Sequence, residues 1–131
     1  MIVSNESATL AAVWVGIDVS KKSLDVAIWL GGKRYRHLKA SNDESGIETL
    51  LDWATRIAGE DARLSSCMES TGDYHFFCAL TLTEKGFSVS VADPARIKYF
   101  GIEIGRLTKT DKADAKLIAH FACERRTSAW H

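Results

Sequence analysis

The 131-residue sequence predicts an α/β sandwich: one five-stranded mixed sheet in the order βββαβαβα, with helices on both faces. Three observations predict it. Residues 12–19 form a near-continuous apolar run, the pattern of a central strand covered on both sides. Gly31-Gly32 joins the next two strand patterns as a hairpin, so three antiparallel strands come first. Helical and strand periodicities then alternate along the rest of the chain.

In the first strand Val13, Val15, Ile17 and Val19 share one face, and Trp14, Gly16 and Asp18 share the other. Ser20-Lys21-Lys22-Ser23 is a polar turn, residues 24–30 read as a second strand, and residues 33–40 as a third. The third is more polar, as suits a sheet edge. Ser41-Asn42-Asp43 reads as a helix start, after which Ile47, Leu50, Leu51, Ala54, Ile57 and Ala58 recur at helical spacing until Gly59. A fourth strand over 63–68 runs into Glu69-Ser70-Thr71-Gly72. Residues 73–85 form a helix carrying Phe76, Phe77 and Leu80, and Phe87, Val89 and Val91 alternate as a fifth strand. Past Asp93-Pro94 the pattern is helical again, interrupted by Gly101 and Gly105. These glycines and the basic run 106–110 predict a mobile lead-in to a last helix over 111–126. Residues 1–11 read as a frayed leader and 12–131 as one domain.

Hydrophobic residues make up 46% and charged residues 26%, an ordinary globular composition. No apolar run approaches the roughly 20 residues needed to span a bilayer. Met1-Ile2-Val3-Ser4-Asn5-Glu6 lacks the basic and apolar regions of a signal peptide, so the cytoplasm is expected and no membrane partner. Cys67, Cys78 and Cys123 lie far apart without a CxxC pair, which disfavours a disulfide framework or a zinc site. His37, His75, His120 and His131 show no metal-ligand spacing and read as surface or packing residues. Net charge is zero but unevenly spread: residues 1–40 and 94–131 are net basic, whereas 41–73 hold eight acids against two bases. Such a chain can present a phosphate-binding face, or simply a solvated surface of uneven charge.

Four acids resist a structural explanation. An ionised Asp18 near the end of an apolar strand costs free energy unless a cation pairs with it. Glu69 ends the fourth strand, and ligands collect beyond the carboxyl ends of parallel strands. Parallel pairing of strands one and four would set Asp18 and Glu69 side by side; alternatively Glu69 caps the following helix. Asp111 and Asp114 are three apart at the start of the last helix, and Asp114 shares the stripe of Leu117, Ile118 and Phe121, which should be buried. Helix capping explains Asp111 (or Thr110) well and Asp114 less well. Two carboxylates about 4 Å apart repel by about 4 kcal/mol at an effective dielectric near 20. Their gathering therefore calls for protonation or a cation, and oxygen-only ligands suit Mg²⁺ or Mn²⁺. Lys21, Lys22, Arg106, Lys109 and Lys112 flank the acids, as a phosphate backbone requires, with Ser20, Thr71 and Thr110 as hydroxyl partners beside them.

Gly16-Ile17-Asp18-Val19-Ser20-Lys21, Met68-Glu69-Ser70-Thr71-Gly72 and Lys109-Thr110-Asp111-Lys112-Ala113-Asp114-Ala115 together resemble the DEDD transposases of the insertion-sequence one-ten family, relatives of the pilin-gene invertases. Ser41-Asn42-Asp43-Glu44-Ser45-Gly46 and Val91-Ala92-Asp93-Pro94 extend the resemblance across residues 13–126. The resemblance implies a ribonuclease-H-like (RuvC-like) fold. It also implies Mg²⁺-dependent cutting and rejoining of DNA guided by a bridge RNA, with Asp18, Glu69, Asp111 and Asp114 as the metal-binding catalytic acids. A second domain bearing a nucleophilic serine, homo-oligomerisation at full length and a place at the bacterial nucleoid are further implications. Without the serine domain the chain is expected to be inactive alone.

Three other readings remain. One is a stand-alone nuclease of the Holliday-junction-resolvase kind. A second is a non-catalytic module for nucleic-acid binding and assembly. The third, a sugar-kinase or actin-like ATPase, shares Gly16-Ile17-Asp18 but needs a second acidic strand and a glycine-rich adenosine site that this sequence lacks.

Overall fold

A computed structural model describes residues 12–70 and 72–125. Five strands, β1 (Ala12–Val19), β2 (Ser23–Gly31), β3 (Arg34–Ser41), β4 (Arg63–Glu69) and β5 (Ser88–Ala92), form one sheet in the spatial order β3-β2-β1-β4-β5. β1 pairs antiparallel with β2 and parallel with β4, so the most apolar strand is central, as its pattern predicts. β3 is the polar edge. The element order βββαβαβαα includes both helices expected after Pro94.

The two faces of β1 define two cores. Val15 and Ile17 join Leu24, Val26 and Ile28 of β2 beneath α1 (Glu44–Ala58) and α2 (His75–Glu84), which contribute Ile47, Leu50, Cys78 and Leu82. On the other face Trp14 and Cys67 lie under α3 (Pro94–Glu103) and α4 (Ala115–Arg125), with Ile97, Phe100, Leu117, Ile118 and Phe121. α1 starts where the sequence indicates: Asp43 is its N-cap and accepts the Gly46 N–H at 2.8 Å. The Cys78 thiol is pushed up to about 12 by burial, which marks it as a packing group.

Gly16 is the contact that positions everything on the second face. α4 lies directly across β1, and a Cβ at residue 16 would overlap the backbone of Ala115 and Ala119. Only glycine lets the helix approach this closely, two residues before Asp18.

Three expectations need correction. The last helix begins at Ala115 and not at Asp111, and Asp114 is exposed at its end instead of lying on the buried stripe. Its carboxylate accepts the Leu117 N–H at 2.9 Å and its carbonyl the Ile118 N–H at 3.0 Å, so Asp114 caps the helix. Gly101 does not interrupt α3 but lies within it, buried against Leu107 and Leu117. The segment expected to be a mobile lead-in opens with a bonded turn. Arg106 N–H reaches Gly101 O at 2.8 Å and Gly105 N–H reaches Ile102 O at 3.0 Å around Gly105 at φ +77°, a Schellman closure of the helix. The proposed leader, 1–11, lies outside the described residues.

α2 packs through His75, Cys78, Ala79 and Leu82 and leaves Tyr74, Phe76, Phe77 and Leu80 about half exposed.

Candidate metal and nucleic-acid site

Ile17 and Met68 are the last registered pair of the parallel β1–β4 ladder. One residue further along each strand stand Asp18 and Glu69. Residues side by side in a parallel ladder share a face, so both point toward the layer of α3 and α4. Val19 continues the ladder with β2, and Asp18 there stands opposite Asp25. Like charges facing each other across antiparallel strands are destabilising. Half-burial, above all, raises the Asp18 carboxyl above its ordinary 3.8; Lys112 opposes that shift, while Asp25 and Asp114 add to it.

The four expected acids divide between two neighbouring clefts. Asp18 and Asp114 line an open cleft of about 390 Å³ together with Asp25, His37 and Lys116. Glu69 and Asp111 line a second, of about 310 Å³, together with Pro94, Lys98, Thr110 and Lys112. Asp111 Oδ2 accepts the Thr108 N–H at 2.8 Å, which holds it in the turn before α4. Lys112 connects the clefts: it lines the second and acts electrostatically on the Asp18 carboxylate of the first. Among the described residues no three His, Cys, Asp or Glu side chains stand together as a metal-binding group.

The flanking residues are variously employed. Ser20 closes the β1–β2 turn on Ser23, with Lys21 and Lys22 exposed beside it. Arg106 lies over the Tyr35 ring and donates to its hydroxyl, with Lys116 over the same ring at 5.7 Å. Lys109 lines a separate cleft with Lys98, Tyr99 and Ile102. Thr110 is at the Glu69–Asp111 cleft, and Thr71 lies outside the described residues.

Asp25 and His37 are the residues that sequence reasoning missed. Asp25 alternates with Leu24 and Val26, both fully buried, the same signal that singles out Asp18. His37 Nε2 lies 3.7 Å from Asp25 Oδ1, a contact between the polar edge strand and its neighbour. His120 is a packing residue, stacked on Trp29 at 4.1 Å between ring centroids, and His131 lies outside the described residues.

The architecture defines the class first: an α/β domain of the ribonuclease-H-like, RuvC-like type. Among solved structures, Thermus thermophilus RuvC superposes with a TM-score of 0.56 at 16% identity, over 89% of this chain and 98% of that one. The T. thermophilus RuvC solved in complex with a Holliday junction substrate gives 0.55 at 14%, with the same coverage. A family model described as a transposase, that of the IS110-type DEDD transposases, matches residues 15–130. The chain belongs to that family. The pilin gene-inverting protein of Moraxella bovis is 26% identical over 121 residues, which are 92% of this chain and 37% of that relative. The chain thus spans little more than a third of this curated relative.

Proposed function

We propose that this domain is the metal-dependent catalytic domain of a DNA transposase that cuts and rejoins strands at a phosphodiester. The observation that carries the reading is the parallel β1–β4 pairing, which brings Asp18 and Glu69 to adjacent strand ends on one face. Family membership and the RuvC-like fold support it.

The donor chemistry fits a hard divalent cation: the acids at the two clefts offer carboxylate oxygens, and the Asp18 carboxyl is held at half-burial against two further carboxylates. Asp18 and Asp114, with Glu69 and Asp111 from the adjoining cleft, would hold Mg²⁺ or Mn²⁺, which supplies activation of an attacking oxygen and charge relief at a leaving one. The remaining work belongs to the chain. Asp114 is fixed by its cap to Leu117, so α4 delivers it already oriented. Lys112 between the clefts draws in a phosphate and offsets its charge. Ser20, Lys21, Lys22, Lys109, Thr110 and Arg106 would contact the strand backbone, with Thr71 following Ser70. Asp25 joins the expected set as a fifth acid that tunes Asp18.

DNA is the proposed substrate; the name of the curated relative speaks of gene inversion, and one RuvC structure contains a Holliday junction. Guide RNA and the serine-bearing domain belong to the proposal for the whole protein, as does a place at the bacterial nucleoid. No helix among the described residues is long and apolar enough to cross a membrane. Homo-oligomerisation likewise belongs to the proposal for the full-length protein, with the exposed Tyr74, Phe76, Phe77 and Leu80 as the proposed contact. Sedimentation of the full-length protein should show self-association weakened by Phe77→Ser; an unchanged monomer in both proteins would remove that contact.

The division of the acids between two clefts favours a second reading, a nucleic-acid-binding and assembly module without its own chemistry. Calorimetry separates the two. Mg²⁺ or Mn²⁺ should bind the chain weakly, with the heat lost in Asp18→Ala. Indistinguishable heats for the two proteins would support the assembly module.

A further inference from the structure

Beside the Glu69–Asp111 cleft, and sharing Lys98 with it, lies a third cleft of about 450 Å³ lined by Ala95, Lys98, Tyr99, Ile102 and Lys109. Its lining is mostly apolar, yet both of its charged residues are cationic. Tyr99 is the most exposed of the large apolar and aromatic side chains of the described residues, at 72%, and it stands on α3 where nothing in the core requires it. A ring offered to solvent in one cleft with two lysines, Ala95 and Ile102 suits a flat apolar ligand that carries negative charge. A nucleotide has that chemistry: a base to stack and a phosphate for each lysine to hold. A paired base cannot present its face, so the nucleotide must be unstacked from a duplex.

We infer that Tyr99, Lys98 and Lys109 form a subsite for one unpaired nucleotide of the DNA strand whose phosphate lies at the Glu69–Asp111 cleft. The inference rests on the proposed function for the position of that phosphate. Lys98, lining both clefts, sets the register: it contacts the phosphate that joins the stacked nucleotide to the next residue of the strand. The other side of Tyr99 supports a strand path as well. There it lines a cleft with Arg96 and Arg125, and the one acid present, Glu103, is held by Arg125 at 2.9 Å. The substrate feature read by this domain is then a strand opened next to the cleavage point, as at a branch or bubble, and not an uninterrupted duplex.

The test uses the 131-residue chain in EDTA and a short single-stranded DNA carrying one 2-aminopurine. Binding should quench or shift the fluorescence. Tyr99→Ala should weaken binding about tenfold and remove the spectral change, while Tyr99→Phe, which keeps the ring, should stay within about twofold. Lys109→Gln should lower the slope of log affinity against log salt by about 0.7. Equal affinity of wild type and Tyr99→Ala would overturn the subsite. Tighter binding of RNA than of DNA of the same sequence, with the same dependence on Tyr99, would overturn the assignment to DNA. EDTA makes the readout independent of metal chemistry. Loss of the Asp18-dependent metal heat with Tyr99 dependence retained would therefore count against the catalytic reading and not against the subsite.

Discussion

Asp18→Asn is expected to abolish strand cleavage by a full-length transposase carrying this domain, and at the same time to make the domain more stable. The rate should fall by at least about 10²–10³-fold, since the substitution removes a charge that would hold the cation at the reacting phosphate. The stability gain follows from the environment of the carboxylate. Burial raises the Asp18 carboxyl, and the facing Asp25 and the cap Asp114 raise it further. The folded chain therefore holds this proton more tightly than the unfolded one. Its stabilising contribution is complete below the ordinary 3.8 and is lost as pH rises through the higher folded value. At neutral pH the ionised group opposes folding, and Asn relieves it, by about 1 kcal/mol at most because solvent screens a half-exposed acid. Urea unfolding in metal-free buffer checks this: the variant should gain at pH 7 and lose its advantage toward pH 3. A variant less stable than wild type at pH 7 would mean that Asp18 has a compensating partner.

Gly16→Val should be the most damaging single change on the second face. The added side chain would meet the backbone of Ala115 and Ala119, which cannot move without lifting α4 from the sheet. Overpacking a core costs about 1–3 kcal/mol when side chains can adjust. Here a backbone must move, and Leu117, Ile118 and Phe121 move with it, so a loss of about 3 kcal/mol or more is expected. Gly16→Ala should show a smaller loss of the same kind. In either variant that remains folded, Asp114 shifts away from Asp18, and metal affinity should fall even though no ligand is altered. Thermal unfolding and calorimetry on the same samples report both effects. Wild-type stability in Gly16→Val would show that α4 is not seated on β1 as described.

The two strand-borne acids and their setting were legible because strand geometry is read locally. Alternation assigns Asp18 a face, and the apolar run of β1 makes it central. The parallel pairing with β4, which the sequence offers only as a condition, is supplied by the fold. Asp25 carries the same signal between Leu24 and Val26, but no second acid motif in the sequence points to it. The start of α4 was misjudged for a different reason. Apolar spacing at 117, 118 and 121 extends backwards through Asp114 without change, whereas the end of the helix is set by a carboxylate capping bond of about 1 kcal/mol that periodicity does not show. Gly101 misled in the same way. Glycine inside a helix costs about 1 kcal/mol relative to alanine and reads as a break. Its reason, the close approach of Leu107 and Leu117, is tertiary. The outward aromatics of α2 were beyond prediction as well, because His75, Cys78 and Ala79 give a packing face no more apolar than the one left exposed.

One measurement bears most directly on the proposal that the ends of β1 and β4 and the cap of α4 hold metal together. Trace Mn²⁺ added to the isotope-labelled chain broadens the NMR signals of nuclei close to the bound ion. The amides of residues 18, 69 and 114 should broaden first and together, with 25 and 111 following, and Asp18→Asn should protect them all. Broadening centred on the acid-rich stretch 41–61, or unchanged by Asp18→Asn, would contradict it.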